Sequence, residues 1–290
     1  MAPSHTLFDM TDRTVVVTGA SSGLGVVFAE ALAEAGANVV IAARRVARLE
    51  EVAARIGAGG GTALVVECDV TDPESTAALM DAAVARFGGI DVVVANAGVV
   101  AEGGTVPEKM PPDLFEQSLR VNVVGTFNTC QAAARHMLPA GRGVMVTLAS
   151  VAGMGAHYEV PGAYGSAKAA VINLTQHLAL RWGDRGIRVN ALAPGWFPSE
   201  MTDVVIGIPA FNQRLRDQTA LDRLGDPKEL VGPLLLLCSD AGSFMTGTTL
   251  VVDGGASCSL GEAPFPDALY DAFAANVPGG LAERIMPDDG

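Results

Sequence analysis

The chain has 290 residues, of which 49% are apolar, and it carries a formal net charge of −13 without any run of lysine or arginine. This length and apolar content suffice for one or two globular domains, whereas the acidic balance argues against a nucleic acid or an anionic membrane as partner. The four cysteines are far apart without a CxxC pair and the four histidines lack ligand spacing, so neither disulfides nor a metal site is predicted. Residues 1–13 resemble no targeting signal and no apolar run approaches the about 18 residues of a membrane span, which predicts a cytoplasmic protein.

The first motif is a strand, a glycine-rich turn and a helix. Residues 13–18, RTVVVT, predict a short strand, which GASSGLG and an alanine-rich helical pattern follow. Gly19 permits a tight turn, Gly23 lets the backbone approach a pyrophosphate, and Gly25 allows close helix packing. The alternative is an ordinary turn between strand and helix, but this context favours a dinucleotide site.

A second apolar strand ends where the adenosine ribose of a dinucleotide is expected, about twenty residues after the glycines. An NAD site usually has an acidic residue there, whereas this chain has Ala43 followed by Arg44 and Arg45. Arginine forms charge-assisted, often bidentate hydrogen bonds with phosphate. The sequence therefore favours NADP (NADPH) over NAD, which stays possible if both arginines only begin a solvated helix.

Strand and helix then alternate further, and polar residues follow the strands. Asp69 could accept a hydrogen bond from the adenine amino group, and Asn96 with Gly98 could line the ribose, although such residues are also typical of caps and turns. This alternation predicts parallel strands joined by crossover helices. The elements are a strand over 62–70, a helix over 73–88 and a strand over 91–98.

Residues 111–138 predict one long helix that begins at Pro111 and Pro112. Asn122 lies in its middle, although asparagine is a poor helix former. A buried amide needs hydrogen-bond partners. Asn122 is therefore either satisfied by the protein itself or holds a water near the site.

The next strand and helix supply the candidate chemistry. Residues 143–150 predict a buried strand ending at Ser150, whose hydroxyl is well placed for a substrate oxygen. Tyr164 and Lys168 are four residues apart in a predicted helix, so their Cβ atoms lie about 5–6 Å apart on one face. A solvated face is the alternative for this pair.

The pair could carry a proton-transfer step. A phenol with its ordinary pKa of about 10 is a poor base at neutral pH, but a neighbouring ammonium favours the phenolate. We therefore expect Lys168 to lower the pKa of Tyr164 by about two to three units. Such a tyrosine could exchange a proton with an alcohol or carbonyl oxygen.

The last third of the domain contains two further strands and a region without strand character. Residues 186–195 predict a strand that ends in Pro194 and Gly195, and residues 248–255 predict the final strand after a helix over 227–240. Residues 196–222 mix apolar and polar side chains, which is typical of a lid over a substrate cleft.

Together the elements predict a single α/β domain over residues 1–255. It is expected to be a Rossmann fold, a doubly wound sheet of seven parallel strands with helices on both faces. Residues 256–290 fall outside the repeat and form a C-terminal extension, either disordered or a short helical cap.

From about residue 11 to residue 255 this set of motifs resembles the short-chain dehydrogenase/reductase family. The family's TGxxxGxG stands here at residues 18–25, its NAG at 96–98 and its YxxxK at 164–168. Its upstream serine corresponds to Ser150 and its helix asparagine to Asn122. Five motifs in the right order are far more specific than any one of them.

The resemblance implies a role for each catalytic residue. Tyr164 would be the general acid/base, and Lys168 would lower its pKa and bind the nicotinamide ribose. Ser150 would hold the substrate oxygen, and Asn122 would keep a water in a proton relay with Lys168. Hydride would pass between the substrate carbon and the nicotinamide.

The resemblance also implies the cofactor contacts. Ser199 stands where the family usually has a threonine that contacts the carboxamide. The implied contacts are Thr18, Gly19, Ser21, Ser22, Gly23, Leu24, Gly25, Arg44, Arg45, Asp69, Val70, Asn96, Ala97, Gly98, Tyr164, Lys168, Pro194, Gly195, Phe197 and Ser199.

Within the family the chain resembles 3-oxoacyl reductases and gluconate-type dehydrogenases. The leading hypothesis is NADPH-dependent reduction of a ketone, or the reverse oxidation of a secondary alcohol. The alternatives are an NAD-dependent alcohol or polyol dehydrogenase, a non-catalytic dinucleotide-binding regulator, and an epimerase or dehydratase using transient oxidation. The intact serine, tyrosine, lysine and asparagine argue against the regulator, and the absence of a longer substrate domain argues against the last.

The apolar side chains of the lid favour a hydrophobic or mid-sized carbonyl substrate over a small sugar acid, unless they are buried against the sheet. An acyl carrier protein is disfavoured, because an acidic carrier needs a basic docking surface. The lid side chains in question are Trp196, Phe197, Val204, Val205, Ile206, Ile208 and Phe211.

Two departures from the family pattern are expected to shape the pocket. The segment between Ser150 and Tyr164 is about one residue longer, and its Tyr158 lacks a lysine four residues later because that position is Gly162. The extension after Gly255 could pack over a substrate pocket, either its own or that of a neighbouring subunit. The resemblance implies a homo-oligomer, a tetramer or a dimer, with its interface on the helices around 112–138 and 162–183.

Overall fold

The structure, a computed structural model, describes residues 4–103, 105–156 and 160–258. Its strands are β1 (Thr14–Thr18), β2 (Asn38–Ala43), β3 (Thr62–Glu67), β4 (Val92–Ala95), β5 (Gly143–Leu148), β6 (Ile187–Pro194) and β7 (Thr249–Val252). Its helices are α1 (Gly23–Glu34), α2 (Val46–Ala58), α3 (Pro73–Phe87), α4 (Pro112–Leu119), α5 (Gly125–Ala140), α6 (Gly162–Trp182), α7 (Asp203–Ile206), α8 (Pro209–Asp217) and α9 (Val231–Cys238).

The strands form one seven-stranded parallel sheet in the order β3-β2-β1-β4-β5-β6-β7. This confirms the predicted doubly wound fold. β1 is paired on one side with β2 and on the other with β4, so the winding reverses at β1. A crevice opens at the carboxyl ends of the strands at such a switch point, and ligands of open α/β sheets bind there.

The β-branched runs form central strands because helices cover both faces of the sheet. Val15 and Val17 of β1 lie in one core cluster, together with side chains of α1, α2 and α9. Val16, between them, lies in the other cluster, with side chains of α3, α5 and α6. Successive side chains of a strand point to opposite faces, so both layers bury apolar surface.

The predicted helix over 111–138 is interrupted in the structure. α4 ends at Leu119, a π-helical turn spans Arg120–Val124, and α5 then continues to Ala140. The widened turn contains Asn122, whose side chain bonds backbone groups outside the helix ladder. A side chain that competes for backbone partners in this way is a recognised cause of local helix distortion.

The region predicted as a lid, residues 196–222, contains two short helices, α7 and α8. Pro209 at the first position of α8 accounts for its start, because proline lacks the N–H that a first-turn residue leaves unused. Within residues 4–103, 105–156 and 160–258, no helix combines the length and apolarity needed to cross a lipid bilayer.

Candidate active site

A cleft of about 310 Å³ opens at the carboxyl edge of the sheet. The residues implied as cofactor contacts line it, except Thr18, and so do the implied catalytic residues, except Asn122. Both of these residues are buried, and their side chains bond the backbone of the segments that line the cleft. The Thr18 hydroxyl accepts a hydrogen bond from the Ala97 N–H at 3.3 Å, which joins the end of β1 to the turn after β4.

The glycine loop is shaped by close backbone approach. Gly19 has φ +69°, and a Cβ there would lie 2.8 Å from the Cα of Ala97. A Cβ on Gly25 would lie 2.3 Å from the carbonyl oxygen of Gly19. Asn96 holds the same turn, because its Nδ2 donates to the carbonyl oxygens of Thr18 at 2.9 Å and of Gly19 at 3.3 Å. Larger residues at the glycine positions would therefore deform the loop.

The N-terminus of α1 faces the cleft without a capping side chain. Its N-cap residue, Ser22, makes no capping hydrogen bond, and its Oγ instead accepts from Nη2 of Arg45 at 2.6 Å. The first N–H groups of a helix are donors that need an acceptor, and the helix dipole favours an anion there. This cradle suits a phosphate group of a dinucleotide.

Arg45 joins the glycine loop to the segment after β6. Its Nε donates to Oγ of Ser21 at 3.2 Å, and its Nη1 donates to Oε2 of Glu200 at 3.3 Å. Arg48, one turn further along α2, also donates to the Glu200 carboxylate. These hydrogen bonds hold the pKa of Glu200 below its usual value, the bond from Arg48 contributing most.

Arg44 and Asp69 lie nearby on the lining of the cleft. The Asp69 carboxylate accepts from the N–H of Thr71 at 2.9 Å and from its hydroxyl at 2.8 Å. These bonds, with a smaller contribution from the Arg44 charge, hold the pKa of Asp69 below its usual range. Asp69 is thus a turn residue, as one of its two interpretations predicted, and it still faces the cleft.

The opposite end of the cleft contains Ser150, Tyr164 and Lys168. Ser150 follows β5, and its Oγ accepts from the Ala152 N–H at 3.1 Å. Lys168 is only 3% exposed. Its Nζ donates to the carbonyl oxygen of Leu148 at 2.7 Å and lies 5.4 Å from the centre of the Tyr164 ring.

The proton affinities of this pair differ from the prediction. Burial raises the pKa of Tyr164 to about 12; the Ser150 hydrogen bond opposes this shift, and the negative charge of Glu102 adds to it. Burial also lowers the pKa of Lys168 to about 8. The expected lowering of the Tyr164 pKa is therefore wrong for this structure: burial raises this pKa, and the Lys168 ammonium bonds the Leu148 carbonyl oxygen and faces the ring.

Asn122 is satisfied by the protein itself. Its Nδ2 donates to the carbonyl oxygens of Val99 at 2.7 Å and of Ser118 at 2.9 Å, and its Oδ1 accepts from the Val99 N–H at 3.3 Å. A Cβ on Gly98 would lie 2.7 Å from that Oδ1. Asn122 therefore fixes the turn after β4 against the π-helical turn, and its part in a water relay stays a prediction.

Two acidic residues of the site were missed by the sequence analysis. Glu200 directly follows the predicted contact Ser199 but pairs with arginines more than 150 residues away in the chain. Glu102 is 2% exposed and accepts from the Tyr164 N–H at 2.6 Å. Neither stands in a recognisable motif, so no local spacing could have identified them.

The apolar lid residues are divided between core and surface. Phe197 is 5% exposed and packs in the core, whereas Ile208 is 52% exposed. Burial against the core thus holds for Phe197, and the preference for a hydrophobic substrate stays a prediction. Tyr158, the side chains of Val204 and Val205, and residues 259–290 of the extension lie outside the described part of the protein.

The site can now be compared with known proteins. Residues 19–257 match a family model described as enoyl-(acyl carrier protein) reductase. Cis-4-hydroxycyclohexanecarboxylate dehydrogenase of Sinomonas cyclohexanicum is 40% identical over 246 residues, which cover 84% of this chain and 96% of that protein. Gluconate 5-dehydrogenase of Gluconobacter oxydans (strain 621H) is 37% identical over 256 residues, covering 88% and 98%. The crystal structure of a gluconate 5-dehydrogenase from Burkholderia cenocepacia J2315 in complex with NADP and tartrate superimposes with a TM-score of 0.84 at 34% identity, covering 89% of this chain and 100% of that one.

Proposed function

Because the chain belongs to the short-chain dehydrogenase/reductase family, we propose that it catalyses the NADPH-dependent reduction of a ketone, with oxidation of the secondary alcohol as the reverse reaction. Family membership makes it an NAD(P)-dependent oxidoreductase acting on hydroxyl or carbonyl groups. The observation that carries the finer proposal is one continuous cleft, with Ser150, Tyr164 and Lys168 at one end and the glycine loop with its arginines at the other.

The residues at the adenosine end fit a dinucleotide with a 2′-phosphate. The uncapped N-terminus of α1 offers N–H donors to the pyrophosphate. Arg44 and Arg45 line the cleft at the end of β2, where the ribose is expected. Guanidinium groups bind phosphate with charge-assisted hydrogen bonds, so their presence supports NADP.

The catalytic end supplies the proton. When bound, the cofactor supplies the hydride that reduces the carbonyl carbon. Ser150 Oγ holds the carbonyl oxygen, and Tyr164 Oη transfers its proton to that oxygen as the alcohol forms. Tyr164 is protonated at neutral pH, since burial raises its pKa, so it holds the proton that the reduction requires. The Lys168 ammonium then stabilises the phenolate that remains.

The substrate is proposed to be a mid-sized carbonyl compound with apolar surface. Met201 on the cleft lining is 42% exposed. Apolar side chains that stay accessible beside a cleft favour a ligand with apolar surface. A cyclic carbonyl compound would combine that surface with the polar group that Ser150 and Tyr164 require.

One observation favours a second candidate, an NAD-dependent alcohol or polyol dehydrogenase. Glu200 occupies Arg45 and Arg48, so the positive charge available to a 2′-phosphate is partly neutralised. The two candidates predict opposite cofactor preferences.

The proposal is tested by titrating the purified protein with NADPH and, separately, with NADH. Binding is monitored by the quenching of tryptophan fluorescence. Tighter binding of NADPH, followed by its oxidation in a screen of cyclic and aliphatic ketones, is the expected result. Tighter binding of NADH would favour the second candidate, and binding of neither cofactor would contradict both.

A further inference from the structure

A buried carboxylate lies behind the proposed proton donor. Glu102 follows β4 in the chain and is only 2% exposed. An ionised carboxylate is costly to bury unless hydrogen bonds or opposite charges compensate for the lost water. Among the described residues, none of the ion pairs involves Glu102. Its compensation therefore comes from hydrogen bonds.

The first of these bonds comes from the backbone of Tyr164. Its N–H donates to Glu102 Oε1 at 2.6 Å, across 62 positions of sequence. Tyr164 is the third residue of α6, and the N–H at that position is one that a capping side chain usually satisfies. The N-cap of α6 is Pro161, which makes no side-chain cap. Glu102 therefore replaces the missing cap, and its negative charge suits the positive end of the helix dipole.

The second hydrogen bond to Glu102 comes from Ser118, which connects the carboxylate to the π-helical turn. Ser118 donates its hydroxyl hydrogen to Glu102 Oε2, while its carbonyl oxygen accepts from Asn122 Nδ2 at 2.9 Å. Asn122 in turn holds Val99 of the loop that contains Glu102. The network joins this loop, the end of α4 and the first turn of α6.

Glu102 also faces Tyr164 electrostatically. The negative charge of Glu102, from the loop after β4, raises the pKa of this phenol, while the Lys168 ammonium, from its own helix, lies 5.4 Å from the ring centre. Ser150, from the end of β5, contributes a neutral hydroxyl. A negative charge disfavours a neighbouring phenolate, so Glu102 and Lys168 oppose each other across the same side chain.

We propose that Glu102 is a positioning residue for Tyr164: its carboxylate fixes the first turn of α6 so that the phenol meets Ser150, and its charge adds to the burial that disfavours the phenolate. This inference rests on the proposed reductase function. It adds a group that touches neither substrate nor cofactor and acts through the catalytic tyrosine.

Three substitutions separate the two effects. Glu102→Gln keeps a carbonyl oxygen for the Tyr164 N–H but removes the charge. Glu102→Asp keeps the charge but withdraws it by one methylene. Glu102→Ala removes both. Glu108→Gln, an exposed acid in the short turn that follows, is the matched control.

Ionisation of Tyr164 is measured without any substrate, from the ultraviolet difference spectrum of each protein against the same protein carrying Tyr164→Phe. For Glu102→Gln we expect the phenolate-to-phenol ratio at about pH 10.5 to rise roughly tenfold, a shift of about one pH unit. Circular dichroism at that pH confirms that each protein is folded. Unchanged ratios in Glu102→Gln would overturn the electrostatic part of the proposal.

Positioning is measured from the kinetics of ketone reduction. Glu102→Ala is expected to lower kcat by about tenfold or more with little change in the KM for NADPH, and Glu102→Gln to recover most of that loss. Glu102→Asp should lose kcat without moving the pH profile, and it remains informative if the glutamine variant does not fold. Equal kcat values in the wild type and the three Glu102 variants would overturn the positioning role.

Comparing Tyr164→Phe with the Glu102 variants distinguishes the role of Glu102 from the proposed reductase function. Full reductase activity in Tyr164→Phe would contradict the proposed function itself. An inactive Tyr164→Phe protein together with Glu102 variants that match the wild type would leave the function standing and reject Glu102 alone.

Discussion

The two ends of the cleft both combine a carboxylate with cations, but they differ in burial. At the adenosine end, the side chains of Arg45, Arg48 and Glu200 are 48%, 48% and 49% exposed. At the catalytic end, Glu102 and Lys168 are 2% and 3% exposed. Exposed ion pairs contribute at most about 1 kcal/mol and are screened by salt, whereas buried charges need fixed partners. The charged side chains of the adenosine end can therefore exchange partners with a ligand, whereas those of the catalytic end are held by fixed partners.

The comparison predicts the largest effect at the buried proton donor. Tyr164→Phe removes the phenolic hydroxyl, so we expect ketone reduction to slow by about a thousandfold or more. NADPH binding should stay nearly unchanged, since the hydroxyl serves the substrate. Steady-state kinetics and fluorescence titration measure the two quantities. Comparable activity in the variant would refute the assignment of the donor.

The next effect concerns the buried cation. Lys168→Met is expected to slow reduction by about a hundredfold, because the phenolate left after proton transfer loses its ammonium. The pKa of Lys168 is lowered to about 8, so the ammonium is present below that pH and lost above it. The wild-type rate should therefore fall as the pH rises through about 8.

Lys168→Arg provides the control for this profile. A guanidinium stays charged at every accessible pH, so whatever activity the arginine variant retains should not fall near pH 8. A decline at the same pH in both proteins would show that another group is responsible.

At both ends of the cleft, the sequence could predict the groups that depend on local spacing but not those that depend on long-range contacts. The strand pattern, the glycine loop and the pair Tyr164 and Lys168 depend on local spacing, and the structure places them as predicted. Glu102 and Glu200 depend on contacts across 62 and 155 positions, which no window of sequence contains. The prediction of a lowered Tyr164 pKa was wrong for a related reason, because local spacing indicates the nearby ammonium but not the burial that raises this pKa.

At the exposed end, Arg45→Ala is expected to weaken NADPH by about tenfold or more, since a hydrogen bond to a charged group contributes about 1.5–3 kcal/mol. NADH should be affected much less, although Ser21 and Ser22 also lose their partner. Arg55→Ala on the same helix, whose guanidinium pairs with Glu30, is the matched control. Equal losses for both cofactors would mean that Arg45 only supports the glycine loop.

The smallest expected effect tests the exchange of partners directly. Glu200→Gln releases Arg45 and Arg48 from a competing carboxylate, so NADPH should bind up to about fivefold more tightly while NADH is unchanged. The gain should vanish near 1 M salt, where the Debye length is about 3 Å. Glu51→Gln, an exposed acid on α2, controls for the overall change in charge. If Glu200 instead held the arginines in the geometry that phosphate requires, the variant would bind NADPH more weakly, and the exposed end would be as fixed a frame as the buried one.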